Sequence, residues 1–232
     1  MISVLLTAYN AERYIRLAIE SILGQTYTDF ELIIVDDCST DSTYETACSY
    51  RDPRIRFHKN SENLGHTKSM NIAMRMGKGE YFAWQDADDI SLPERFEKQV
   101  NLFTGKIGLV TTWGISIDDR GRKISNWYTD EAQRKPEKEI LDNILKDCWI
   151  LGPSAMWTQE VVDKIGYFDE EMYLACDYNY WLRLLKHFEF KTVKEVLYKY
   201  RKHDESVRKL YKEKMDWLKL CQKRAKECLR IR

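Results

Sequence analysis

Short, unbroken apolar runs that end in carboxylates limit what this chain can fold into. Leu32-Ile33-Ile34-Val35 runs into Asp36-Asp37, and Tyr81-Phe82-Ala83-Trp84 runs through Gln85 into Asp86-Ala87-Asp88-Asp89. A continuous rather than alternating apolar run suits a parallel strand covered on both faces. Between the runs the spacing turns helical. Tyr14, Ile15, Ala18, Ile19 and Ile22 share one face ahead of Gly24, a natural stop. The pattern predicts strands over 2–7, 31–35, 54–58 and 80–85, with helices over 11–23, 42–50 and 68–76. Ser91-Leu92-Pro93-Glu94 reads as a capping box with proline in the first turn, opening a helix to about Phe103. Repeated strand–helix units with short connections imply an α/β fold with a doubly wound, mostly parallel sheet. Such sheets bind ligands outside the carboxyl ends of their strands, where both acidic clusters would lie.

Asp86, Asp88 and Asp89 crowd three carboxylates into four residues. They repel one another unless a cation sits among them. In extended chain Asp86 and Asp88 point the same way. Oxygen-only ligands at that spacing suit magnesium or manganese, ions that bridge to substrate phosphates. A polar turn followed by a capped helix is the plain alternative.

After Gly105 the pattern changes. Leu109 to Ile117, a polar turn at Asp118-Asp119-Arg120-Gly121, and Lys123 to Trp127 read as strand, turn and strand. Helices are expected over Pro136 to Cys148, Glu160 to Ile165 and Asp177 to Phe188, and strands over Ala155 to Trp157 and Phe190 to Tyr200. The 37 basic and 37 acidic residues cancel, leaving no overall field for nucleic acid. The six cysteines form no C-x-x-C pair and read as reduced thiols. The opening Ile2-Ser3-Val4-Leu5-Leu6 is too short for a signal peptide, and no apolar stretch approaches the roughly 20 residues of a membrane span. The expectation is a cytoplasmic protein, soluble or peripheral at the inner face of a membrane. From Arg201 onward 12 Lys or Arg face 5 Asp or Glu, and Tyr211, Met215, Leu218, Cys221, Ala225 and Cys228 recur at helical spacing. That segment, 205–232, reads as a basic amphipathic helix, packed on its own domain or resting on an anionic membrane.

Six segments in order carry a resemblance: Val4-Leu5-Leu6-Thr7-Ala8-Tyr9-Asn10; Val35-Asp36-Asp37-Cys38-Ser39-Thr40-Asp41; Asn63-Leu64-Gly65 with Asn71; Gly79 through Asp89 with Pro93 and Arg95; Gly166-Tyr167-Phe168-Asp169-Glu170; and Asp177 through Leu184. Together they resemble the family 2 glycosyltransferases, which have the GT-A fold. The likeness extends over about residues 2–204, with 1–104 as the nucleotide-sugar half and 105–204 as the acceptor-side half. It implies a metal-dependent, inverting transfer of a sugar from a nucleotide-diphosphate donor, with a lean to UDP, to a hydroxyl of a saccharide, glycan or lipid-linked acceptor, as in polysaccharide biosynthesis. A silent nucleotide- or glycan-binding module of the same fold is the alternative.

The resemblance also implies roles. Thr7, Tyr9, Asp36 and Asp37 would line the nucleotide pocket, with Tyr9 stacked on the base and one of the two aspartates accepting an imide proton. Asp86 would face the donor, and Asp88 and Asp89 would hold Mn2+ or Mg2+, Asp88 foremost. Lys68 would contact the donor or stand solvated on its helix, and Arg95 would brace the helix after the metal motif. His203, in Tyr200-Arg201-Lys202-His203, would ligate the metal or touch the diphosphate. Asp177 would be the catalytic base. Cys176 stands where the family usually has a second acidic residue. Trp149, Trp157 and Trp181 are candidates for an acceptor platform.

Overall fold

The computed structural model describes residues 1–124, 131–146, 148–172, 175–203, and residues 219, 220 and 223. Its strands are β1 (Ile2–Ala8), β2 (Phe30–Asp36), β3 (Ile55–Lys59), β4 (Tyr81–Asp86), β5 (Ile90–Ser91), β6 (Ile107–Ile117), β7 (Met156–Thr158) and β8 (Glu189–Arg201). They form one eight-stranded sheet in the order β3-β2-β1-β4-β7-β6-β8-β5. β1 to β4 run parallel, as do β6 and β8. β7 enters antiparallel between β4 and β6, and β5 lies antiparallel on β8. The helices are α1 (Ile15–Leu23), α2 (Thr43–Cys48), α3 (His66–Met76), α4 (Arg95–Val100), α5 (Glu137–Asn143), α6 (Gln159–Ile165) and α7 (Cys176–Leu184).

Every residue of β1 and β2 is buried, because helices cover both faces. Val4 and Leu6 pack with Ala18, Ile19 and Ile22 of α1, whereas Leu5 packs with Met70, Ala73 and Met74 of α3. Each fully buried Ile or Leu stabilises by roughly 1.5–3 kcal/mol, so the continuous apolar run is what this two-sided cover requires.

Two expectations change. Ser91 does not cap a helix: it lies on β5, opposite Tyr198, and α4 begins at Arg95 without a side-chain cap. Its hydroxyl donates to Gln85 Oε1 and accepts from Arg95, so strand pairing and a buried polar network outweigh the local capping signal. Trp157 and Trp181 are fully buried, packed on each other and on Tyr180, and are core rather than an acceptor platform. Trp149 packs partly buried against the same core. Of the expected strand over Lys123 to Trp127, Lys123 bridges Ile117, while residues 125–130 lie outside the described residues. Most of 205–232 also lies outside them; Lys219, Leu220 and Lys223 are helical, and Leu220 packs on the main core.

Candidate active site at the carboxyl edge of the sheet

β1, β2 and β4 end side by side. Ala8 is in register with Asp36, and Thr7 with Asp86. The chain leaves this edge through residues in left-handed backbone conformations, Asn10 after β1 at φ 48° and Cys38 after β2 at φ 63°. Those turns are clamped together. Asp36 Oδ2 accepts from Ser39 N, Ser39 Oγ accepts from Asn10 N, and Asn10 Oδ1 accepts from Thr40 N. Asp41 accepts from Glu12 N and Thr43 N, and Thr43 Oγ1 accepts from Ala11 N. Ser39 and Asp41 therefore hold two loops to each other across the strand ends.

The two neighbouring aspartates, inseparable by sequence, have different surroundings. Asp37 is buried and accepts from Asn60 Nδ2, Leu64 N and Gly65 N, which pins the 60–65 loop. Gly65 sits at φ 84°, a conformation that suits glycine. Asp36 is buried beside Lys59, at 3.9 Å, and its Oδ1 has no hydrogen-bond partner among the described residues. Tyr9 is half exposed at the same edge, at 50%.

Oxygens of Asp86, Asp88 and Asp89 lie within 4.8 Å of one another. Asp86 accepts from Trp84 Nε1 at 2.6 Å. Burial, then the charge of Asp88, pushes the Asp86 carboxyl up to about 7. Burial and the other two carboxylates push Asp89 up as well. Asp89 is buried; its Oδ1 accepts from Arg201 N at 2.6 Å, and the Tyr198 hydroxyl also bears on the carboxylate. Asp88 is the more open, and its Oδ2 meets His203 Nε2 at 2.9 Å. Three crowded carboxylates, their oxygens within reach of one another, fit a hard divalent ion.

Two arginines hold this cluster from behind. Arg201 at the end of β8 donates to the carbonyls of Asp88, Asp118 and Asp119, and its guanidinium covers the Tyr14 ring at 4.6 Å. Arg95 is fully buried and donates to Gln99, Ser91 and the Trp84 carbonyl. Burial lowers its pKa to about 10, and Tyr198, Asp89 and Asp86 work against that fall. The bracing role expected of Arg95 matches this network.

Asp177 comes from the other half of the chain. It sits in the first turn of α7, after Ala175 at φ 58° and the buried Cys176. A Cβ on Gly152 would lie 2.9 Å from Asp177 Oδ2, so the bare glycine leaves room for the carboxylate. Asp177 bears electrostatically on Asp86 and on His66. The structure thus gathers Thr7, Asp37, Asp86, Asp88, Asp89, Asp177 and His203 around one edge. Lys68 is instead exposed on α3 near Glu170, whose carboxyl Asn71 and Arg75 hold below the usual range.

The sequence reading passed over His66. Its Nδ1 meets Thr7 Oγ1 at 3.0 Å and its ring stacks on Trp84 at 5.1 Å. The available signal was position alone, directly after Asn63-Leu64-Gly65.

An α/β sheet with an acidic cluster on its carboxyl edge and a lone carboxylate facing it defines the class, and comparison with known proteins defines the family. Residues 3–166 match the sequence profile of Glycosyl transferase family 2. The chain is 35% identical over 224 residues to an uncharacterized glycosyltransferase of Methanocaldococcus jannaschii, spanning 93% of this chain and 76% of that one. It is 33% identical to one of Rickettsia typhi, spanning 88% of this chain and 64% of the relative. In fold it is similar to S. aureus TarS 1-349 in complex with UDP-GlcNAc, with a TM-score of 0.75 at 20% identity over 95% of this chain and 65% of that one. It is also similar to the mannosyltransferase PcManGT from Pyrobaculum calidifontis in complex with GDP-Man and Mn2+, with a TM-score of 0.66 at 19% identity over 88% and 58%. The chain belongs to glycosyltransferase family 2.

Proposed function

We propose that this chain transfers a sugar from a nucleoside-diphosphate donor, most simply a UDP-sugar, to a hydroxyl of a saccharide or lipid-linked acceptor, with inversion at the anomeric carbon. The carrying observation is the convergence of Asp177 on the Asp86-Asp88-Asp89 cluster from a segment about 90 residues away in sequence, by their numbering. The fold neighbours in complex with UDP-GlcNAc and with GDP-Man and Mn2+ support the donor class and the metal.

Thr7, Asp36, Asp37 and Tyr9 bind the nucleotide, Tyr9 offering its exposed ring to the base. Asp86, Asp88 and Asp89 would hold a divalent ion, with His203 completing the set, and such an ion would supply positive charge for the departing diphosphate. The Asp177 carboxylate takes the acceptor proton as the acceptor oxygen bonds to the anomeric carbon and the bond from that carbon to the diphosphate oxygen breaks. The base faces the diphosphate across the sugar, so displacement from that side inverts the configuration.

Asp177→Asn tests the assignment. Transfer should fall by about 10²–10⁴-fold, the range for loss of a positioned general base, while nucleotide affinity stays unchanged. Full transfer by the variant would sink Asp177 as base. A wild-type chain that binds nucleotide and hydrolyses or transfers nothing would favour a silent module.

A further inference from the structure

We propose that His66 is a donor-recognition residue whose Nε2 hydrogen-bonds a hydroxyl of the transferred sugar. The inference rests on the donor reading above and adds to it the residue that reads the sugar.

Two contacts hold the imidazole. The Nδ1–Thr7 Oγ1 hydrogen bond at 3.0 Å fixes the direction of the ring within its plane. Stacking on Trp84, at 5.1 Å and 27° between planes, fixes the plane itself. Trp84 is in turn tied by its Nε1 to Asp86 Oδ1 at 2.6 Å, so ring and acidic cluster share one rigid support. Nε2 has no hydrogen-bond partner among the described residues. Pre-set polar atoms of this kind orient ligands, because little freedom is lost when they bind.

The surroundings of His66 select the ligand group. The next residue, Thr67, donates from Oγ1 to the Met172 carbonyl at 3.1 Å, joining this turn to the segment that leads into α7. Asn71, one turn further, exchanges two hydrogen bonds with the Phe168 backbone, both at 2.9 Å. His66 therefore stands where the nucleotide half meets the segment that delivers Asp177. The carboxylates of Asp177, Asp37 and Asp88 all bear on the ring, while burial, the largest effect, lowers its pKa. A donor whose diphosphate lies at Asp88, and whose anomeric carbon faces Asp177, has its sugar ring between them. A neutral imidazole with Nδ1 engaged offers either a donor or an acceptor at Nε2, according to tautomer. A sugar hydroxyl satisfies both cases, whereas a phosphate oxygen only accepts.

The test is calorimetric titration of the full chain with UDP, UDP-glucose, UDP-galactose, UDP-N-acetylglucosamine, GDP and GDP-mannose, in manganese chloride. Wild type is compared with His66→Phe, which keeps the stacked ring and loses the nitrogens, and with His66→Asn, which keeps hydrogen-bonding atoms. For the sugar nucleotide that wild type binds best, His66→Phe should lose about tenfold in affinity, the scale of one net hydrogen bond. The parent diphosphate should stay within about twofold, and His66→Asn should recover part of the loss. Equal sugar-nucleotide affinity in all three proteins would overturn the proposal. So would an equal loss for diphosphate and sugar nucleotide, which would assign the contact to the nucleotide. Should His66→Phe fail to give a cooperative melt, His66→Asn carries the test, since it must change the ratio of the two affinities. Absence of any binding by wild type would overturn the donor reading itself, an outcome distinct from the others.

Discussion

Gly152 and Asp177 form a tight residue-level constraint at the edge. Only a hydrogen separates the Gly152 Cα from the carboxylate, and a methyl there would sit 2.9 Å from Oδ2. The end of a side chain can move aside, so the fold should survive Gly152→Ala while the carboxylate is displaced. Misplacement of a reacting group by about 1 Å is worth about 10²-fold, and a shift of a few tenths should lower kcat about tenfold with donor affinity unchanged. Steady-state kinetics beside nucleotide titration would check this, and a wild-type kcat would detach Asp177 from the chemistry. The left-handed Ala175 just before α7 points the same way. Non-glycine residues there cost about 1 kcal/mol or more and persist where the surroundings hold them in place.

At the scale of elements, polar clamps do what apolar patterning does not show. Glu31 on β2 accepts from Ser3 of β1, Arg56 of β3 and Lys78 N ahead of β4, tying four parallel segments at the end remote from the site. Burial alone would raise its carboxyl, and the hydrogen bonds from Arg56, Ser3 and Lys78 N more than reverse that, leaving its pKa below the usual range. A lowered native pKa means stability that is present above the unfolded value and lost as pH falls through the folded one. Glu31→Gln should therefore lower Tm at neutral pH, by roughly 2–4 °C per kcal/mol on an expected loss of about 1–3 kcal/mol. The gap to wild type should close on acidification below the ordinary glutamate range. Melting curves across that range would show it, and a pH-independent gap would remove the charge from the account. The Asn71–Phe168 clamp is the counterpart across the chain, holding the Asn63-to-Asn71 segment against the Gly166-to-Glu170 segment.

For the whole molecule, one sheet joins the two halves through the antiparallel β7, and a long β8 returns beneath the acidic cluster, where Arg201 holds Asp88, Asp89 and the 118–119 turn. The acidic edge is thus closed by residues from both ends of the described fold. A nucleoside diphosphate with manganese should stabilise the chain by about 2.7 kcal/mol at 100 times its dissociation constant. The shift in Tm should vanish in EDTA and in Asp88→Ala. A shift that survives both would separate nucleotide binding from the acidic cluster. Among the described residues no helix is long and apolar enough to cross a membrane.

Most of the strand and helix order and the acidic clusters at strand ends were legible along the chain, whereas Asp177 was singled out through the family resemblance. Apolar period and the clustering of like charges are local properties, readable without coordinates. Ser91 misled for the same reason: its capping signal is local, while its pairing with β8 is not. Trp157 and Trp181 are aromatic in any reading, but burial at the junction of β7 and α7 made them core. Which of Asp36 and Asp37 pins the 60–65 loop, that Lys68 turns toward Glu170, and that His66 stands between Thr7 and Trp84 depend on side chains brought together across tens of residues. The order of the segments was decided by the sequence, and the direction in which each polar atom points was decided by packing. A hydrogen bond depends on distance and angle in space, and neither is encoded in spacing along the chain.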